Sequence, residues 1–309
     1  MSIEDKNFEK AVESFRMQIS GRLEERVLMK RYTTFRIGGL CELMVFPKEV
    51  SELISVIDYC EKNGLPWRVI GRGSNLLVID EGLNEVVINV QEGLNRFEQK
   101  DEGLVWAEAG IRLNRMVKLC SDLGLAGLEF SAGIPGTLGG ALRMNAGAEG
   151  KEISGVVNWV EFYRYPEGRF IRKSSELRFG YRELHLNPKE VILSAELKLV
   201  KDKPENIRER IKRNLKHRRE TQPVAYPSAG SVFKNPQGGY AGKLIEELGL
   251  KGLRVGDAQI SELHGNFIVN RGRAKAKEVL ELIKIIQERV RREKGINLEL
   301  EIELWGNRQ

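Results

Sequence analysis

No apolar run in this sequence approaches the roughly 20 residues that a membrane-spanning helix needs, so a bilayer partner is not expected. The first ten residues, MSIEDKNFEK, are charged and lack the apolar stretch of a secretory signal. A cytoplasmic protein is therefore expected. Cysteine is scarce. Cys41, Cys60 and Cys120 are an odd count at wide spacing, which excludes a disulfide framework and a CxxC zinc site and reads as small buried hydrophobes. Histidine is as scarce: His185, His217 and His264 are scattered and no HExxH occurs, so no metal is expected. Aromatics make up only 7%, and no basic block is interleaved with them. The net charge of +6 thus permits an anionic partner without pointing to nucleic acid.

What is present suits a packed protein. The 309 residues are 41% hydrophobic and 30% charged, enough for about two domains, with one large or three small ones also in range. The 32 glycines exceed the usual share of about 7% and cluster. Helical spacing predicts helices over 5–20, from Val50 through Leu53, Ile54 and Ile57, over 112–122, through Ile207, Ile211 and Leu215, and over 240–248 and 274–293. Strands are predicted at 41–47, 67–70, 76–79, 85–90, 104–109, 156–165, 169–172, 191–200, 255–260, 266–270 and 297–305. Pro166-Glu167-Gly168 marks a hairpin. The pattern is α+β, with a boundary near residue 203.

Two glycine loops carry the chemistry. The strand ending at Ile70 feeds Gly71-Arg72-Gly73-Ser74-Asn75-Leu76. Paired glycines let backbone N–H groups converge on phosphate oxygens, and Ser74 and Asn75 add donors; a tight turn is the other reading. Leu76 stands where a Rossmann fingerprint needs its third glycine, and no GK[ST] follows. The second loop, Gly133-Ile134-Pro135-Gly136-Thr137-Leu138-Gly139-Gly140, runs on to Asn145-Ala146-Gly147. So many glycines favour backbone approach to a ligand. Together the loops suggest a large phosphate-bearing cofactor.

With Thr33-Thr34-Phe35-Arg36-Ile37-Gly38-Gly39, Phe179-Gly180-Tyr181-Arg182, Pro227-Ser228-Ala229-Gly230-Ser231-Val232-Phe233-Lys234-Asn235-Pro236, His264-Gly265-Asn266-Phe267-Ile268-Val269-Asn270 and Leu298-Glu299-Leu300-Glu301, the loops occur in one order over residues 31–306. This set resembles the UDP-N-acetylenolpyruvoylglucosamine reductase family, in its shorter form without a substrate-capping insertion. Glu149, Leu184 and Gly265 depart from the family's usual aromatic, serine and alanine. The resemblance implies a vanillyl-alcohol-oxidase-type FAD fold of two α+β lobes, 1–92 and 93–203, followed by an α+β substrate domain, 204–309. It implies bound FAD, NADPH as co-substrate, a UDP-sugar as substrate and a monomer. FAD contacts are expected from Thr34, from Gly71 to Leu76, from Gly133 to Gly136, and from Gly139, Gly140, Asn145, Ala146 and Gly147.

The implied reaction delivers hydride to the enolpyruvyl methylene carbon and a proton to the carbanionic centre beside the carboxylate. Ser231 is the expected proton donor. Arg182 is the electrophilic partner, since a guanidinium grips a carboxylate in a bidentate way. Glu301, the second Glu of L-E-x-E, is expected to polarise Ser231 or a water, or to assist protonation with Arg182. Tyr181, Lys234 and Asn235 are expected to touch substrate. Ser231-Val232-Phe233-Lys234 also reads as S-x-x-K, but neither S-D-N nor K-T-G accompanies it. The basic run Lys212 to Arg219 reads as a solvated helix face with at most one substrate contact. The alternative is a flavin oxidase or dehydrogenase of the same superfamily, which would not need Ser231.

Overall fold

A computed structural model describes residues 3 to 306. In chain order its main elements are α1 (Ile3–Gln18), β1 (Arg22–Leu28), β2 (Leu40–Phe46), α2 (Val50–Asn63), β3 (Trp67–Ile70), β4 (Leu76–Val78), β5 (Leu83–Asn89), β6 (Phe97–Asp101), β7 (Leu104–Glu108), α3 (Leu113–Asp122) and α4 (Leu138–Arg143). There follow β8 (Val157–Arg164), β9 (Gly168–Lys173), β10 (Val191–Lys198), α5 (Pro204–Thr221), α6 (Ala241–Glu247), β11 (Arg254–Val255), β12 (Ala258–Ile260), β13 (Ile268–Asn270), α7 (Ala276–Lys294) and β14 (Glu303–Trp305). None of the described helices is long and apolar enough to cross a membrane.

Two compact units form. The N-terminal unit holds Met1–Val27, Glu42–Arg72 and Asn84–Leu215; the C-terminal unit holds Leu28–Cys41, Gly73–Leu83 and Lys216–Gln309. This division cuts across the consecutive segments 1–92, 93–203 and 204–309. The physical reason is main-chain pairing: β4 lies parallel to β14, with Leu76 opposite Glu303 and Val78 opposite Trp305. A short segment from early in the chain is thereby held in the unit built mostly from the last third.

The N-terminal unit has two sheets. The first has the order β1-β2-β5-β3, with β3 parallel to β5. Helix α2 lays Val50, Leu53, Val56, Ile57 and Cys60 into the core on that sheet, together with Phe15 of α1. Gly64 ends α2 in the left-handed conformation, φ +66°. The second sheet is antiparallel, β9-β8-β10-β7-β6. It packs against α3 and α4 through Val105, Ala107, Met116, Leu138 and Leu142. Tyr163, Val191 and Leu193 of this sheet also join the first core. All three cysteines are free and buried, and burial pushes the Cys60 and Cys120 thiols up to about 12.

The C-terminal unit packs α6 and α7 on an antiparallel β11-β12-β13 sheet, with Phe35, Ile37, Leu77 and Phe233 in the same core. Two expectations are corrected here. The strand predicted at 255–260 is a hairpin, folded at Gly256 with φ +54°. The strand predicted at 297–305 is regular only at Glu303–Trp305; before it the chain makes one isolated bridge, Leu300 with Phe233. Strands β1 and β6 escape the alternation rule because they are mostly solvated: Val27 is the one buried residue of β1, and β6 has none.

Candidate active site

In the C-terminal unit, Ser231 to Lys234 lies between two other stretches of chain. On one side Ser231 bridges Phe267, and Val232 N–H donates to the Asn266 carbonyl at 2.9 Å. On the other, Phe233 bridges Leu300, Glu301 N–H donates to the Val232 carbonyl at 2.8 Å, and Lys234 N–H donates to the Glu299 carbonyl at 2.9 Å. Ser231 and Glu301 are thus set on neighbouring main chains by hydrogen bonds that need no side chain. Asn266, buried, tightens this register. Its Oδ1 accepts from Phe233 N–H at 2.9 Å and its Nδ2 donates to the Phe233 carbonyl at 2.7 Å. In the sequence, only its position inside His264 to Asn270 marks Asn266.

Asn75 secures Glu301 from a third direction. Its Nδ2 donates to the Glu301 carbonyl at 2.9 Å, and its own carbonyl accepts from Glu303 N–H at 2.8 Å. Thr34 belongs here too. Its N–H donates to the Gly73 carbonyl at 3.2 Å and its Oγ1 to the Ser228 carbonyl at 2.8 Å. Lys234 Nζ stands 3.6 Å from a Glu299 carboxylate oxygen. Asn235 Oδ1 accepts from Ala241 N–H at 3.1 Å, at the start of α6. Burial lowers the pKa of His264, and its Nδ1 accepts from Asn266 N–H at 3.2 Å.

Arg182 lies in the N-terminal unit, in a turn with φ +59°, its guanidinium carbon 5.4 Å from the ring centre of exposed Tyr181. The left-handed backbone at an arginine is a cost held by its surroundings. Asn145, almost fully buried and itself at φ +39°, donates to Glu152 Oε2 at 2.8 Å and to the Gly180 carbonyl at 3.0 Å, anchoring that turn. A Cβ on Gly147 would lie 2.8 Å from Glu152 Cγ and 3.0 Å from an Arg182 terminal nitrogen. Glycine at 147 therefore makes room for Arg182. Gly147–Ala148 pairs with Lys151–Glu152 as a short hairpin, and Ile153 N–H donates to the Ala146 carbonyl at its base.

The glycine loops divide into two kinds. Some glycines serve close approach within the protein. A Cβ on Gly71 would lie 2.4 Å from Thr137 Oγ1, and one on Gly139 2.9 Å from Ala109 Cβ. Leu138 and Gly139 N–H groups are tied to the Ile111 and Ala109 carbonyls. Others face outward: Gly133, at φ +80°, and Gly140 are exposed, with Ile134, Pro135 and Gly136 partly so. In the C-terminal unit Gly73 takes φ +58°, and among the described residues the N–H groups of Gly73 and Ser74 and the Ser74 hydroxyl have no acceptor or donor in the protein. A left-handed glycine with open N–H groups is the geometry of an anion-binding nest, so these residues fit a phosphate-bearing cofactor. Leu76 contributes a buried side chain at the start of β4.

Comparison with known proteins agrees with this geometry. Residues 222–305 match the family model described as UDP-N-acetylenolpyruvoylglucosamine reductase, C-terminal domain, and residues 41–174 match that of an FAD binding domain. The UDP-N-acetylenolpyruvoylglucosamine reductase of Moorella thermoacetica is 44% identical over 278 residues, 90% of this chain and 91% of that protein. That of Halalkalibacterium halodurans is 40% identical over 303 residues, 97% of this chain and 100% of its own. The crystal structure of the Thermus caldophilus enzyme superposes with a TM-score of 0.80 at 41% identity, covering 93% of this chain and all of that one.

Proposed function

Since the chain belongs to the UDP-N-acetylenolpyruvoylglucosamine reductase family, we propose specific roles for its residues in the NADPH-dependent reduction of UDP-N-acetylglucosamine enolpyruvate to UDP-N-acetylmuramate. The protein is an FAD-containing oxidoreductase of peptidoglycan synthesis, with the vanillyl-alcohol-oxidase-type FAD fold and an additional α+β domain. We place it in the cytoplasm, as a monomer without nucleic-acid or membrane partners. FAD, when bound, supplies hydride chemistry, accepting from NADPH and donating to the enolpyruvyl carbon. The residues that would hold it are Thr34, Gly71 to Leu76, Gly133 to Gly136, Gly139, Gly140 and Asn145 to Gly147.

Ser231 holds the proton that completes the lactyl ether. Its hydroxyl has no hydrogen-bond partner among the described residues, so it is open to a substrate atom. A hydroxyl is a weak acid, but a carbanion beside a carboxylate is a strong base. Glu301, one hydrogen-bonded main chain away, polarises Ser231 or a water and steadies the proton inventory. Arg182 takes the substrate carboxylate, where charge builds during reduction. Lys234 and Tyr181 bind substrate. Asn235 holds the start of α6 through Oδ1 and can offer substrate only its Nδ2.

The observation that carries the assignment of Ser231 with Glu301 is the Glu301 N–H to Val232 carbonyl bond, because it fixes their relative register without relying on either side chain. The test is spectrophotometric. Purified protein should be yellow, and NADPH oxidation beyond the one equivalent that reduces the flavin should begin only when the enolpyruvyl sugar nucleotide is added. Oxidation that proceeds with oxygen and ignores that substrate would support the oxidase or dehydrogenase reading instead.

A further inference from the structure

Half-buried arginines in this protein are matched with carboxylates as a rule. Arg172 and Arg164 pair with Glu190, and Arg210, on α5, pairs with Glu129 at 2.8 Å and Asp202 at 2.5 Å. Arg218, two turns further along α5, breaks the rule. Its side chain is only partly exposed, its Nε–H is buried without an acceptor, and no carboxylate pairs with it among the described residues. Burial alone lowers its guanidinium pKa, with no acidic neighbour acting against it. Uncompensated burial of a cation is costly, and Lys216, His217 and Arg219 beside it stay in solvent.

A second polar atom is left open next to it. Gln222 is the first residue after α5, and its N–H donates to the Arg218 carbonyl at 3.0 Å, a four-residue bond that carries the helical repeat one step past Thr221 and keeps the two residues on one side. Its Oε1 is also buried with no partner. The terminal amide can be turned to present its N–H₂ group in that place. A desolvated guanidinium and an amide, both unsatisfied on one face, are complementary to an anion with several acceptor oxygens.

We propose that Arg218 and Gln222 seat a diphosphate group. The proposal rests on the reductase reading, which supplies ligands of that chemistry: the sugar nucleotide, NADPH and FAD all carry a diphosphate. The substrate's other anion, its carboxylate, is already assigned to Arg182. Of the basic run Lys212 to Arg219, Arg218 is thus the member that leaves the solvated face to meet a ligand.

The experiment is direct binding to the flavin-loaded enzyme, read independently of turnover. Dissociation constants for UDP and for NADP+ are measured on wild type, Arg218→Met, Arg218→Lys and Gln222→Leu, with flavin content assayed in each. Arg218→Met is expected to weaken a diphosphate ligand at least tenfold and Gln222→Leu severalfold, with Arg218→Lys between wild type and Met. Loss confined to UDP assigns the seat to the sugar nucleotide, loss confined to NADP+ to NADPH, loss of both to a shared seat, and loss of flavin to FAD. Unchanged affinities and flavin content in a folded Arg218→Met protein would overturn the proposal. Thermal melting without added ligand gives a second reading. Where flavin content is retained, removing an unpaired buried charge should leave Tm unchanged or raise it, whereas a fall of several degrees with full flavin content would make Arg218 a structural residue and refute the ligand role. A wild-type protein that binds UDP but does not reduce the enolpyruvyl substrate would sink the reductase reading and leave the anion seat standing.

Discussion

At the scale of single residues, the chemistry is carried by side chains whose backbones are tightly specified. Ser231→Ala should leave reduction of the flavin by NADPH nearly intact and cripple the second half-reaction, by roughly the 10²–10⁴-fold that a positioned proton donor contributes. Rapid-mixing measurement of the two halves checks this, and equal loss in both would remove Ser231 from the proton path. Arg182→Lys should lower kcat because an ammonium cannot reproduce a bidentate grip; near-normal turnover would refute that grip. Gly147→Ala tests the same arginine from behind. The added methyl would lie 3.0 Å from the Arg182 terminal nitrogen and 2.8 Å from both Glu152 Cγ and the Lys151 carbonyl oxygen, so kcat and Tm should both fall; an unchanged kcat would show that Arg182 does not depend on that space. The sequence made Ser231, Arg182 and Glu301 legible through long motifs. It could not make legible what Asn145 and Asn235 do, because their partners, Gly180 and Glu152 in one case and Ala241 in the other, depend on how turns fold back.

At the scale of elements, the register of Ser231 depends on a clamp that no periodicity announces. Asn266 satisfies both the N–H and the carbonyl of fully buried Phe233. Asn266→Ala would leave both groups unsatisfied, at about 1–3 kcal/mol each, and would loosen the strand that carries Ser231. Chemical denaturation should show that loss, and kcat should fall with KM much less affected. Asn266→Asp, which keeps the acceptor for Phe233 N–H, should recover part of both; a variant that loses stability but keeps full kcat would confine Asn266 to folding. The same logic explains which elements could be read in advance. Helices α2, α3 and α7 bury a full apolar stripe, so their spacing announced them. The stretch before β14 pairs through a single isolated bridge, Leu300 with Phe233, and apolar alternation cannot distinguish that from a regular strand. The hairpin at Gly256 is a different case: Gly256-Asp257 between Val255 and Ala258 is itself a two-residue turn signal, so this fold-back was legible in the sequence.

At the scale of the molecule, the two units carry different titrating groups, and this sets how the protein responds to acid. In the N-terminal unit burial acts to raise the pKa of Glu52, Glu129 and Glu190, but hydrogen bonds outweigh it and hold all three below the ordinary 4.5. Glu52 accepts from Ser20 N–H, Ser20 Oγ and Lys48 N–H. Glu129 takes Gly127 N–H and Arg210, and Glu190 takes Arg172 and Asn187. A depressed folded pKa means that the unfolded chain binds protons first. The stabilisation is therefore complete above 4.5 and is lost as pH falls below it. His264, in the C-terminal unit, is lowered from 6.5 by burial. The unfolded histidine takes a proton below 6.5 that the native one refuses, so stability begins to fall already there. Tm should thus decline in two stages as pH drops, a shallow one from 6.5 and a steeper one below 4.5. His264→Gln should flatten the first stage by up to one proton, about 1.4 kcal/mol per pH unit, and leave the second. Glu190→Gln should do the reverse, at a cost near pH 7 of about 3 kcal/mol from stranding Arg172 beside a neutral amide, while Arg164 keeps its pair with Glu167 at 2.6 Å. A His264→Gln protein whose Tm still falls between pH 6.5 and 4.5 with the wild-type slope would show that this half-buried ring does not set the first stage.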